Sequence, residues 1–141
     1  MKFTVFILSV LMLIFYSCSQ KEEVKLTAFS TEAFAYNMGD SSEVDATTQV
    51  KGFQQEKKNG GFYATLSYEV DLIKPNGDTV KSIISKIADR LKKEKMSDTQ
   101  LDAQFDLDST YKNGNYKVVF RIKDILSGKT ATAVSKFNLG D

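Results

Sequence analysis

Apolar and polar residues alternate one by one along most of this chain, and this pattern constrains the fold more than any other feature of the sequence. The clearest stretch is 62–72 (FYATLSYEVDL), where every second residue from Phe62 to Leu72 is apolar or aromatic. Side chains of a β-strand point alternately to opposite faces, so this pattern is typical of a strand with one buried face. The sequence therefore predicts one long, half-buried strand here.

The same alternation recurs in other segments, and turn-forming residues separate them. The segments are 44–50, 101–107, 116–122 and 131–139. Asn59-Gly60-Gly61, 75–78 (PNGD) and 113–115 (NGN) fall between strands, where Pro fixes φ and Asn and Gly tolerate a positive φ. The last two segments predict a hairpin with its turn at 124–129. Gly52 shifts the phase so that Phe53 can face inward, as at a bulge.

Two segments follow the pattern less well. Residues 24–38 predict a first strand that crosses or switches sheets, with its core contacts at Leu26, Phe29, Phe34, Tyr36 and Met38. Residues 82–95 combine apolar positions at helical spacing with a lysine-rich opposite side, which is typical of an amphipathic helix. Their place between regularly spaced strands favours an edge strand. We expect a strand over 79–87 and a helical turn over 88–95.

About seven strands without strand-helix-strand alternation predict an all-β fold, an immunoglobulin-like antiparallel two-sheet sandwich over residues 24–141. Gly114-Asn115-Tyr116 resembles the tyrosine corner of immunoglobulin-like and fibronectin-type domains, which implies a structural role for Tyr116. The stretches GDSSEVDATTQVKGF, YEVDLIKPNGDTV and NGNYKVVFRIKDILSGKTATAVSKF resemble accessory sandwich domains of bacterial exported proteins. This resemblance implies the fold and leaves the function open.

Composition excludes several classes of function. The chain has no His and no Trp, and its single Cys is Cys18. Ser-His and Cys-His catalysis, His-based metal sites and internal disulfides are therefore excluded, and we expect no enzyme activity, no cofactor and no metal centre. Lys and Arg number 19 against 18 Asp and Glu, a balance that predicts no nucleic-acid binding.

The N-terminal residues predict export. Lys2 precedes an apolar run over residues 3–16, which is shorter than the roughly 20 residues of a membrane-spanning helix. Ser17 and Cys18 follow, and this arrangement resembles the lipobox of bacterial lipoproteins. The resemblance implies a signal peptide over 1–17, acyl chains on Cys18 and a polar tether over 18–23. An ordinary signal peptide with an unrelated cysteine is the alternative.

Lys21, Glu22 and Glu23 stand directly behind this cysteine. A lysine followed by two acidic residues resembles the lipoprotein export signal of Bacteroidota. The resemblance implies an outer-membrane lipoprotein that faces the cell exterior, and an anchor that faces the periplasm is the alternative.

Three groups of side chains remain as candidates for binding. Asp102, Asp106 and Asp108 share one face of a predicted strand, where they could bind Ca²⁺ or pair with Lys117 and Lys123, although a solvated strand face has the same composition. The basic residues could contact anionic lipid headgroups or acidic polysaccharide, and they also suit a solvated loop. These basic residues are Arg90, Lys92, Lys93 and Lys95. Tyr63 and Tyr111 are the aromatic residues predicted to be exposed.

Two functions fit these features. The first is a non-catalytic protein-binding or assembly module that is held on the membrane through Cys18. The second is a glycan-binding accessory lipoprotein of a surface nutrient-capture system. An exposed aromatic platform on one sheet face would favour glycan binding, and its absence would favour a protein partner.

Overall fold

The alternating segments form β-strands, and the predicted antiparallel two-sheet sandwich is confirmed. The structure, a computed structural model, describes residues 21–140, and these contain eight strands and no helix. The strands are β1 (Thr27–Asn37), β2 (Ser41–Lys51), β3 (Glu56–Lys58), β4 (Gly61–Ile73), β5 (Thr79–Lys92), β6 (Asp98–Asp108), β7 (Gly114–Asp124) and β8 (Thr130–Leu139).

The two sheets contain three and five strands. One sheet is three-stranded, in the order β1-β2-β6, and the other contains β3, β4, β7 and β8, with β5 as a further partner of β4. With the short β3 set aside, the first, second and fifth strands share one sheet, and the third, sixth and seventh share the other. The fourth strand, β5, lies in the second sheet, whereas the fourth strand of a constant-type immunoglobulin sandwich lies in the first. The strand that brings the number to eight is the short β3, which was not predicted. It pairs with the start of β4 through Asn59-Gly60, a typical hairpin turn.

The predicted inward-facing residues fill the space between the sheets. The buried side chains include Val44, Ala46, Val50, Leu66, Tyr68, Val70, Leu72, Leu101, Ala103, Phe105, Leu107, Val118, Phe120 and Ile122. Phe53 is buried as predicted, but β2 ends at Lys51, so Gly52 terminates the strand and does not form a bulge within it. Strand alternation alone therefore locates most of this core.

Tyr116, near the start of β7, makes the hydrogen bond of a tyrosine corner. Its hydroxyl donates to the carbonyl oxygen of Lys112 at 2.6 Å. The buried ring stacks on Phe137 with 5.4 Å between the ring centroids. Tyr116 thus combines core packing with a satisfied polar group at one end of the sandwich.

The predictions for the first strand were partly wrong. β1 pairs with β2 throughout and does not switch sheets, although it contacts β8 across the edge of the sandwich. Leu26 is buried, but Phe34, Tyr36 and Met38 are exposed. The register shifts between Phe29 and Glu32, where Ser30 has a φ of +49°. This bulge turns Ala33 inward and the aromatic residues beside it outward.

The helical turn predicted over 88–95 is absent from the structure, because β5 continues as a strand to Lys92. It pairs with β4 as far as Phe62↔Lys92. Of the apolar residues at helical spacing, Ala88 is buried, whereas Ile87 and Leu91 project from the opposite face and are exposed. Pairing with β4 satisfies the backbone along the whole segment, and this outweighs the local helical pattern.

Because neighbouring strands run antiparallel, the connecting segments gather at two opposite ends of the sandwich. Segments 21–26, 52–60 (which includes the short β3), 93–97 and 125–129 lie at one end, which we call the tether end. The segments at the other end, the far end, are 38–40, 74–78 and 109–113.

Asp124 fastens the loops of the tether end to one another. Its fully buried carboxylate accepts hydrogen bonds from the backbone N–H groups of Gln54 (2.7 Å) and Leu126 (3.1 Å) and from the Ser127 hydroxyl (2.6 Å). The carboxylate thereby ties the segment after β2 to the β7–β8 turn, so the tether end is held in one arrangement.

Candidate functional site

The outer face of the three-stranded sheet concentrates carboxylates, and we call it the acidic face. Along β2 and β6, alternate residues such as Val44 and Leu101 point into the core. The residues between them on each strand therefore point to this outer surface. Its carboxylates are Glu32, Glu43, Asp45, Asp98, Asp102, Asp106 and Asp108. The sequence singled out only Asp102, Asp106 and Asp108. Asp98 lies on the same strand, and pairing with β2 adds Glu43 and Asp45 and, through β1, Glu32.

The acidic face carries less positive than negative charge, since Lys51, which lies opposite Asp98, is the lysine that β2 contributes to it. Glu43 and Asp106 are directly opposed across β2 and β6, and like charges in this position destabilise a sheet. Within residues 21–140, Asp102 alone of the seven forms an ion pair, at 3.3 Å from Lys86 Nζ. Two unit charges about 6 Å apart in water repel each other by about 0.7 kcal/mol. The carboxylates therefore give the surface of this sheet a negative electrostatic potential.

Two aromatic residues, Phe34 and Tyr36, border the acidic face on β1, and we call them the aromatic pair. They are 53% and 50% exposed and lie opposite Asp45 and Glu43 of β2. Residues two apart on a strand share a face, so the two rings project from the same side of the sheet. Exposed aromatic groups beside a charged surface are typical of interaction sites.

The predicted pairing of the β6 aspartates with Lys117 and Lys123 is wrong. β6 pairs with β2, whereas both lysines lie on β7 in the opposite sheet. The chain crosses from one sheet to the other between β6 and β7, so proximity in sequence does not bring these side chains together. In the part of the chain that the structure describes, no group of three His, Cys, Asp or Glu side chains is arranged to hold a metal ion, so the calcium hypothesis gains no support.

The structure divides the predicted basic cluster into two parts. Arg90 lies between the sheets' edges, where its guanidinium donates to the Thr99 hydroxyl (3.0 Å) and to the Gln100 carbonyl (3.1 Å). It therefore links β5 to β6. Lys92, Lys93 and Lys95 are exposed at the tether end.

Tyr63 and Tyr111 do not form a common platform, because they lie at opposite ends of the sandwich. The Tyr63 hydroxyl donates to the Asp89 carboxylate at 2.9 Å, and this bond raises the pKa of the tyrosine above its usual value. Lys58 lies 4.4 Å from the centroid of the Tyr63 ring, and Lys74 lies 5.1 Å from that of Tyr111. Both rings are half-buried and engaged within the chain.

No protein-family model matches this chain, and none of the curated proteins does. Among solved structures, it is similar to the Northeast Structural Genomics Consortium target SoR45, with 12% identity and a TM-score of 0.44, over 82% of this chain and 86% of that one. It is also similar to the N-terminal domain of PorA, with 12% identity and a TM-score of 0.40, over 82% of this chain and 84% of that one.

A charged cluster that sequence reasoning missed lies on the outer face of the five-stranded sheet. Arg121 on β7 donates to both carboxylate oxygens of Asp71 on β4, from Nε at 2.9 Å and from Nη2 at 3.0 Å. The backbone N–H of Ser82 donates to the same carboxylate at 2.8 Å. The bonds from Arg121, followed by the bond from Ser82, hold the pKa of Asp71 below its usual value although burial opposes them. The cluster fixes the β5 bulge at Ser82, whose φ is +51°.

The predicted lipid-attachment residue Cys18 and the signal peptide 1–17 lie outside the described residues. Lys21, Glu22 and Glu23 are exposed and precede the first strand. The Glu23 carboxylate lies 3.5 Å from Lys129 Nζ at the tether end. Within residues 21–140, no helix of the length and apolarity needed to cross a membrane occurs.

Proposed function

We propose that this chain is a lipid-anchored, non-catalytic binding or assembly module that docks a cationic protein surface on its acidic face. The opposed carboxylates of Glu43 and Asp106, beside the aromatic pair, are the observation that carries this proposal. A sheet optimised only for its own stability gains nothing from this arrangement. A partner rich in Lys or Arg would neutralise the carboxylates and cover the rings.

The anchor in this proposal is an acyl group on Cys18, in the outer membrane and facing the cell exterior. Its support is the apolar run before Ser17-Cys18 and the Lys21-Glu22-Glu23 segment after it. Metabolic labelling with a fatty acid should tag the native chain and leave Cys18→Ala untagged. Equal labelling of the two proteins would contradict the anchor.

A photo-crosslinking residue in place of Tyr36 tests the acidic face in intact cells. We expect one discrete protein adduct from position 36 and none from position 134, because Val134 is similarly exposed, at 52%, on the outer face of the other sheet. Adding Asp106→Lys should abolish the adduct. This change places a cation opposite Glu43, which replaces a repulsive pair by an attractive one and should not unfold the sheet. Loss of the adduct would therefore report lost binding. An adduct that persists in Asp106→Lys would contradict docking by charge.

Glycan binding is the second candidate, since Phe34 and Tyr36 present two rings on one face. Sugar rings stack on aromatic side chains without requiring charge neutralisation. Binding of neutral polysaccharide that is lost in Tyr36→Ala and retained in Asp106→Lys would favour this function over a protein partner. We place it second because a neutral sugar leaves the carboxylates uncompensated.

A further inference from the structure

We infer that the tether end of the sandwich is a membrane-docking surface that rests on anionic lipid headgroups. This inference rests on the proposed anchor at Cys18, and it adds a fixed orientation to it. The strands would then run roughly perpendicular to the membrane surface, with the tether end on the headgroups and the far end pointing away from the membrane.

Charge distinguishes the two ends of the sandwich. The connecting segments of the tether end contain seven lysines and four glutamates, namely Lys21, Lys25, Lys57, Lys58, Lys93, Lys95 and Lys129 with Glu22, Glu23, Glu56 and Glu94. The connecting segments of the far end contain two lysines and two aspartates, namely Lys74, Lys112, Asp40 and Asp78. The net positive charge therefore lies where the chain leads toward Cys18, and anionic headgroups attract lysines in such a position.

Exposed apolar side chains accompany these lysines. Val24, in the leading segment, is 65% exposed, and Ile125, in the β7–β8 turn, is 46% exposed. Apolar groups interspersed with lysines are typical of surfaces that lie at a membrane interface, where the side chains enter the headgroup layer. Met38, at the far end, is exposed to a similar degree (63%), so the lysines are what distinguishes the two ends.

The leading segment is docked on the sandwich, and this limits the distance to the membrane. Lys129 Nζ donates to the Val24 carbonyl, and Gly52 packs so closely on Lys25 that a Cβ at position 52 would clash with its carbonyl oxygen. The chain from Cys18 to Glu23 advances five residues, or at most about 17 Å. Electrostatic attraction extends over about 8 Å at physiological salt, about half of this maximum, so the lysines attract the headgroups when the tether is not fully extended.

The test uses the full lipidated chain in vesicles of phosphatidylcholine, with or without phosphatidylglycerol, and a lipid that carries a headgroup quencher. Ser97→Cys and Ser109→Cys each provide a labelling site for a fluorophore. The two serines are exposed and lie just beyond opposite ends of β6, at the tether end and the far end. We expect several-fold stronger quenching at position 97 than at 109 on anionic vesicles, and high salt should reduce the difference.

Two further variants show which charges are responsible. Lys93→Gln with Lys95→Gln should lower the quenching at position 97 to its level on neutral vesicles. The matched far-end variant, Lys74→Gln with Lys112→Gln, should change nothing. Equal quenching at the two positions, or quenching that ignores phosphatidylglycerol, would overturn the orientation while leaving the anchor in place. A chain that fails to float with neutral vesicles would overturn the anchor, and the inference with it.

Discussion

The hydroxyl oxygen of Tyr68 on β4 lies 2.7 Å from the carbonyl oxygen of Asp102 on β6, so one side chain joins the two sheets through the core. The ring is buried and lies 6.3 Å from that of Phe120. Burial raises the pKa of Tyr68 above its usual value, which favours the protonated hydroxyl that donates this bond. The accepting residue, Asp102, presents its own carboxylate on the acidic face.

Replacing Tyr68 by Phe should remove this bond and little else. We expect a loss of about 0.5–1.5 kcal/mol in the free energy of unfolding, measured by urea denaturation. Tyr36→Phe removes a hydroxyl from an exposed ring and serves as the control, for which we expect no measurable change. Equal stability of the native and Tyr68→Phe proteins would show that the bond between the sheets contributes nothing net.

Tyr116 offers a graded test of the corner. Tyr116→Phe should cost about 0.5–1.5 kcal/mol for the lost bond to Lys112, and Tyr116→Ala about 3–5 kcal/mol because the packing on Phe137 is lost as well. Tyr63→Ala, on the outer face of β4, should be less damaging than Tyr116→Ala. The reverse order in a denaturation series would contradict the assignment of inner and outer faces.

The Asp71–Arg121 bond predicts a specific dependence of stability on pH. Because the folded pKa of Asp71 is lowered, its contribution is fully present above the unfolded value of about 3.9 and is lost as the pH falls through the folded pKa. Asp71→Asn should therefore be less stable than the native protein at pH 7, and the difference should shrink as the pH falls below that unfolded value. Chemical denaturation at several pH values measures it.

Glu69 provides the control for this experiment, since it is the other carboxylate partner of Arg121. Its oxygen lies 2.7 Å from Arg121 Nη1, but its side chain is 42% exposed, against 11% for Asp71. Glu69→Gln should destabilise the protein less than Asp71→Asn at pH 7. If the two variants behave alike, burial of the Asp71 carboxylate is not the source of its contribution.

The residues behind the cysteine give a prediction about the membrane leaflet. Replacing Lys21, Glu22 and Glu23 together by Ala should reduce exposure at the cell surface without reducing total membrane association. Protease treatment of intact cells, followed by immunoblotting, measures the exposed fraction. Equal digestion of the native and substituted proteins would argue against an export signal at these residues.

Local patterns in the sequence predicted the strands and most of the core, because strand alternation depends only on neighbouring residues. The faces of β1 could not be predicted in the same way. A single bulge between Phe29 and Glu32 inverts the phase, and Ser30 carries no sequence signal strong enough to mark it. Phe34 and Tyr36 were therefore expected in the core, and their exposure supplies the aromatic part of the candidate site.

The acidic face depends on pairings between distant residues, which local patterns do not determine. Glu43 faces Asp106 only because β6 joins β2, whereas β5 and β7, its neighbours in sequence, lie in the other sheet. The same crossing separates the β6 aspartates from Lys117 and Lys123. A charged residue at a polar strand position shows that the position is exposed, and the topology determines what lies opposite it.

β1 begins at the tether end and pairs with β2 from Thr27↔Lys51 to Asn37↔Ser42. If a partner on the acidic face pulls the sandwich away from the membrane, the tether pulls Thr27 in the opposite direction, along the strand axis. The hydrogen bonds between β1 and β2 are then loaded in shear, all at once, whereas a peeling force would break them one at a time. With the proposed anchor at Cys18, the chain would therefore enter the sandwich in a shear geometry, in which all of these bonds share the load.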